Sequence, residues 1–161
     1  MTLVVSDTSP IRALNFLGLL PVLEQLYGPI VVPFAVEREL ANPREGFEAI
    51  DIRTFPFIGI QAPNDRQRVD AFRSMLDLGE SEALALAIEI HADVVLIDES
   101  EGRRAATMNG LAWLGTLAVL LEAKVRGHIT EVCPLMDRLT DELGFFIAPS
   151  LRQRLRKLAA E

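Results

Sequence analysis

The sequence predicts an α/β protein of three layers (α/β/α), with helices on both sides of a central parallel sheet of about four or five strands. Three observations lead there. Short apolar runs rich in β-branched residues, Leu3-Val4-Val5, Ile30-Val31-Val32 and Val94-Val95-Leu96-Ile97, lack polar alternation, as expected of strands buried on both faces. Each run gives way to a stretch with helical spacing. Strands that alternate with helices are joined by crossovers, which makes the sheet parallel and covers both its faces.

With 161 residues, half of them hydrophobic, the chain suits one folded domain over residues 1–161, in which residues 147–161 form a C-terminal helical extension. A single cysteine, Cys133, excludes an intrachain disulfide framework and a cysteine metal cluster. Asp7 and Arg12 interrupt the only candidate for a secretory core, and no apolar run is long enough to span a bilayer, so a cytoplasmic protein without membrane contact is expected. The net charge of -7 opposes generic nucleic-acid binding by counterion release, unless acids gathered round a divalent cation invert the local field.

The first strand ends at Asp7, at the strand end where open α/β sheets form their ligand crevices. The plainer role for Asp7 is to cap a helix. Thr8-Ser9-Pro10 opens a short helix over residues 11–16, with Ser9 as cap and Pro10 in the first position. Residues 19–27 form a second helix with Leu19, Val22, Leu23 and Leu26 on one face, stopped by Gly28-Pro29. After the second strand, Pro33 opens the helix Phe34–Ala41, whose buried stripe is Val36 and Leu40. Glu37 and Glu39 fall about equally far to either side of that stripe, so periodicity does not choose between them. Residues 50–63 admit an irregular strand or an extended arm, and residues 64–76 read as a helix.

Glu80 leads a helix over residues 81–91, where a carboxylate is favoured by the dipole. The unbroken apolar run of residues 83–88 requires burial on nearly every side. Glu82 lies about 200° round from Glu80, so at most one of them faces a given site. The strand at residues 94–97 ends in Asp98-Glu99, a helix covers residues 102–109, a fourth strand residues 111–114, and Gly115-Thr116 opens a helix to Lys124. Two further helices flank Gly144-Phe145-Phe146, the last with a solvated basic face of Arg152, Arg154, Arg156 and Lys157.

Acids therefore recur at one edge of the sheet. Carboxylates packed together repel, so some take a proton or bind a cation. Oxygen ligands without thiolates select magnesium or manganese. Such an ion acidifies water and holds both the attacking and the leaving oxygen of a phosphodiester, so in-line hydrolysis of a phosphate ester is the expected reaction. Other chemistries lack their parts. There is no GxxxxGK[ST] or GxGxxG loop and no GxSxG elbow, His91 and His128 read as structural, and no base-stacking platform is evident.

Five segments together resemble the PIN-domain family: Val5-Ser6-Asp7-Thr8-Ser9-Pro10-Ile11; Val32-Pro33 with Val36-Glu37-Arg38-Glu39-Leu40; Gly79-Glu80-Ser81-Glu82-Ala83-Leu84-Ala85-Leu86-Ala87; Leu96-Ile97-Asp98-Glu99 with Gly102-Arg103; and Gly110 with Gly115-Thr116. Their order and spacing are most similar to the branch of the VapC toxins of prokaryotic toxin–antitoxin pairs. The resemblance implies a magnesium- or manganese-dependent endoribonuclease in which Asp7 is the first acid, Glu39 the second, Glu80 (with Glu82 as its rival) the third, and Asp98 or Glu99 the fourth. It implies metal ligation by Asp7, Glu80, Asp98 and Glu99, and substrate contacts from Thr8, Ser9, Arg103 and Arg104. RNA is the implied substrate, an antitoxin protein the implied partner, and a homodimer the implied assembly. At least three of these carboxylates are expected within about one coordination sphere, bridging waters included.

Overall fold

The computed structural model describes residues 2–161. Its strands are β1 (Val4–Ser6), β2 (Ile30–Pro33), β3 (Ile58–Gln61), β4 (Val94–Leu96) and β5 (Trp113–Leu114). They form one sheet in the order β3-β2-β1-β4-β5, and every pairing is parallel. The helices are α1 (Thr8–Phe16), α2 (Val22–Tyr27), α3 (Phe34–Ala41), α4 (Arg66–Phe72), α5 (Leu78–Glu89), α6 (Ser100–Met108), α7 (Thr116–Val125), α8 (Cys133–Leu143) and α9 (Pro149–Leu158). The expected three-layer α/β architecture is therefore present.

The period-two alternation of the central strands divides the interior into two cores. Val4, Ile30, Val32, Val94 and Leu96 face a large core with side chains of α1, α2, α7, α8 and α9. Val5, Val95 and Ile97 face a smaller one built on α5 and α6. In α5, Ala83, Leu84, Ala85, Leu86 and Ala87 are all fully buried, which explains its continuous apolar run. Each leucine removed from water there stabilises the fold by about 1.5–3 kcal/mol.

Strand β1 lies between β2, to which the chain connects next, and β4, which the chain reaches only after crossing back from β3. A parallel sheet opens a crevice beyond its strand ends where the order reverses in this way. The amide of Asp7 donates to the carbonyl of Leu96 at 2.9 Å, so the residues following β1 and β4 border that crevice together.

Several element starts differ from the sequence expectation. Helix α1 begins at Thr8, with Asp7 in extended conformation at the cap position and making no side-chain capping bond, while Pro10 lies within the first turn. The first turn needs no intrahelical N–H, so proline is tolerated there and Ser9 is not required as the cap. The second helix starts only at Val22, after a turn through Pro21. Helix α5 starts before Ser81, because Asp77 and Glu80 close a capping box. The segment 50–63 resolves into a 3-10 turn, Ile52–Thr54, and edge strand β3.

Residues 147–161 pack onto the large core through Ile147, Leu155 and Ala159. Glu161 accepts hydrogen bonds from the amides of Val132 (2.7 Å) and Cys133 (2.9 Å) and from Lys124 Nζ (2.8 Å). A distant carboxylate thereby caps the amino end of α8, which has no side-chain cap of its own. The Lys124 ammonium, and after it the Val132 amide, hold the Glu161 carboxyl down near pH 2. A depressed folded-state value stabilises the protein above the unfolded-state range and is lost as pH falls towards about 2. Glu161→Gln is expected to lower the melting temperature by about 2–4 °C at pH 7. In thermal melts that difference shrinks as the pH is brought below about 4.

Gly102 on α6 lies against Ile97: a Cβ there would collide with Ile97 Cδ1 and come within 2.8 Å of Glu80 Oε2. Gly102→Ala is expected to destabilise by about 1–3 kcal/mol through overpacking, read as a lower denaturant midpoint with an unchanged slope.

Candidate functional site

A cleft of about 1280 Å³ opens over the ends of β1 and β2 and the amino end of α5. Asp7, Glu39, Asp77, Glu80, Glu82 and Glu99 line it, with Thr8, Ser9 and several arginines. Asp7 is buried, and its carboxyl is pushed well above the usual range by burial first, and further by the charges of Glu80, Asp77 and Glu39.

Glu39 reaches the same place from α3. Its Oε2 accepts from Thr8 Oγ1 at 2.9 Å. Glu37, on the other flank of the helix, pairs with Arg53 at 2.9 Å and lies outside the cleft lining. Gly79 lets the carboxylates converge: a Cβ at that position would stand 2.9 Å from Glu39 Oε2, 3.4 Å from Asp7 Oδ1 and 3.5 Å from Thr8 Oγ1.

Glu80 and Glu82 both border the cleft but are held differently. Glu82 accepts from the Ala35 amide (3.1 Å) and pairs with Arg66 (3.2 Å), so both its oxygens are engaged. The Glu80 amide donates to Asp77 Oδ1 at 2.8 Å, while Glu80 Oε2 is buried with no partner. Burial, reinforced by the charge of Asp77, raises its carboxyl to about 7.

Asp98 is placed apart. Its Oδ1 accepts from the Thr116 amide (2.8 Å) and its Oδ2 from Thr116 Oγ1 (2.7 Å), and Arg103 stands 3.7 Å away. It borders a second cleft of about 670 Å³, together with Arg103. Burial raises its carboxyl, and the Thr116 hydrogen bonds oppose the rise. Glu99, with Ser9, borders both clefts. Arg103 is committed to the Ile97 carbonyl (3.2 Å) and to the face of Trp113 (4.8 Å), and Arg104 is exposed and borders neither cleft.

Asp7, Glu39, Glu80 and Glu99 thus share one cleft, and Asp98 faces the next. Among the described residues no three histidine, cysteine, aspartate or glutamate side chains already stand in one metal-coordination arrangement. The expected grouping of three carboxylates in a single sphere is not present there: Thr8 draws Glu39 towards Asp7, while Asp98 is turned aside by its two hydrogen bonds from Thr116. Two cleft residues escaped the sequence reading. Asp77 was announced by the D-x-x-E spacing to Glu80, and Arg12 by its place one helical turn after Thr8.

No curated protein matches this chain. A family model described as a PIN domain matches residues 3–161, and its span takes in β1 with Asp7, the α3 and α5 acids, and the end of β4. PIN domains are generally nucleases, and a parallel sheet with acids at its central strand ends suits them. The chain belongs to the PIN-domain family.

Proposed function

We propose that the protein is a magnesium- or manganese-dependent endoribonuclease of the VapC-like kind, hydrolysing RNA phosphodiester bonds, restrained by an antitoxin partner and assembled as a cytoplasmic homodimer. Residues 1–161 act as one domain in this reading, with residues 147–161 as its helical extension. The observation that carries it is the meeting of Asp7, Glu39 and Glu80 in one cleft, with the Asp7 and Glu80 carboxyls pushed upward.

The donor set fits a hard dication: every candidate ligand is oxygen, and the buried, unpartnered Glu80 Oε2 is the kind of atom such an ion satisfies. Asp7, Glu80 and Glu99 would hold it, and Asp98, bound to Thr116 beside the next cleft, would reach it only by letting those hydrogen bonds go. When bound, the ion supplies Lewis-acid charge that acidifies water and offsets the charge on the phosphate oxygens. Thr8 fixes Glu39 for orienting the attacking water, and Ser9 lies where the substrate backbone enters. Exposed apolar side chains, among them Phe146, Val125 and Leu158, supply surface for a partner or a second copy.

A second reading has its own observation: both Asp98 oxygens are already satisfied by Thr116, as in a PIN-like module that binds RNA or protein without cutting. Incubation with structured RNA during a manganese titration separates the two. The nuclease reading expects metal-dependent fragments, and Asp7→Asn lowers cleavage at least about a hundredfold. The same variant keeps or raises its melting temperature, since it removes a buried, repelled carboxylate. Cleavage that survives Asp7→Asn would show that the site is misassigned, and hydrolysis of a nitrophenyl phosphodiester without RNA cleavage would point to a small phosphoester substrate.

A further inference from the structure

The acid cleft leaves one of its own residues without a role. Arg12 sits on α1 between the buried Ile11 and Ala13, and its guanidinium lies 4.6 Å from the ring centre of Phe47. Its Nε and Nη2 are buried, and neither meets a hydrogen-bond acceptor. These are the two donors along one edge of the guanidinium, the pair that engages two oxygens of a phosphate or carboxylate side by side. Among the described residues no other arginine has buried nitrogens in this condition. Nor does Arg12 form an ion pair among those residues, although the chain holds 23 acidic residues against 16 basic ones. A buried charged donor without an acceptor is costly and calls for a specific partner, which a ligand in the adjoining clefts would supply.

The position of Arg12 says which ligand. It borders both the acid cleft and the second cleft, and the two share Ser9, Phe47 and Glu99 as common wall. An extended chain occupying both clefts passes the Arg12 guanidinium. Carboxylates at Asp7 and Glu39 repel a polyanion, so a cation at the junction offsets that repulsion in a protein whose net charge is -7. The partly exposed Phe47 ring lies against the guanidinium and restricts where it can swing.

We propose that Arg12 binds a phosphodiester group of the RNA chain at the junction of the two clefts, beside the bond that is cut. The identity of the polymer rests on the nuclease reading above; the phosphate site rests on the unpartnered edge of Arg12 and on where it stands. The fork takes the two non-bridging oxygens, and the Phe47 ring limits the swing of the guanidinium. Arg12 is a binding residue here and takes no part in bond cleavage.

The test is binding of a fluorescently labelled oligoribonucleotide to the Asp7→Asn protein with magnesium, followed by anisotropy over a range of salt concentrations. Adding Arg12→Gln is expected to weaken binding about ten- to a hundredfold and to reduce the slope of log affinity against log salt by about 0.7, the loss of one phosphate contact. Arg12→Lys keeps the slope and loses part of the affinity, because the charge stays and the fork goes. Unchanged affinity and slope in Arg12→Gln overturn the proposal, as does equal loss in Arg12→Lys and Arg12→Gln with an unchanged slope, or a failure of the Asp7→Asn protein to bind the oligonucleotide. Otherwise wild-type protein that fails to cut RNA with manganese, while Arg12→Gln shows the predicted binding loss, sinks the nuclease reading and leaves the phosphate site standing.

Discussion

The Asp7 carboxylate sits at the end of the central strand, nearly out of water, with Glu80, Asp77 and Glu39 as charged neighbours, and the surrounding structure is organised around that repulsion. Its place follows from the sheet. Parallel pairing of β1 with both β2 and β4 puts the reversal of strand order at β1, and the Asp7 amide bond to Leu96 closes the two strand ends together. The residue following β1 then borders the crevice, and the Asp7 side chain makes no capping hydrogen bond to α1.

The neighbouring acids are held by neutral donors more than by opposite charges. Thr8 fixes Glu39, the capping box fixes Asp77 and Glu80, and Thr116 fixes Asp98, while among the described residues Glu82 and Asp98 are the cleft acids that stand within 4 Å of an arginine. This keeps the carboxylates oriented while leaving Asp7 and Glu80 with raised affinity for a proton. A carboxyl whose proton is held by burial and like charges gives it up when a dication binds to its oxygens. Orientation comes from close packing: Gly79 and Gly102 leave room that a methyl group would fill, so the acids approach backbone directly.

Much of this was legible in the sequence, and the exceptions have a common cause. The central strands declare themselves because burial on both faces demands unbroken β-branched runs, and α5 declares itself by an apolar run that suits only a helix buried all round. Edge strand β3 is obscure because Gly59 and the exposed Gln61 interrupt its apolar pattern. The start of α1 is masked by Pro10, which is tolerated anywhere in a first turn. Choices among acids were out of reach of local periodicity. Glu39 rather than Glu37 faces Asp7 because Thr8 and Arg53 sort the two flanks of α3, and Asp98 turns aside because Thr116, far along the chain, offers it two donors.

The central claim is that buried, mutually repelling carboxylates at this strand end are relieved by a hard divalent cation. It is tested most directly by calorimetric titration of manganese into the protein near pH 6, repeated in buffers of different ionisation enthalpy. The account predicts saturable binding that releases about one proton, because Glu80 titrates near 7, and loss of that binding in Asp7→Asn. Absence of saturable heat at millimolar metal, or binding that releases no proton and survives Asp7→Asn, would contradict it.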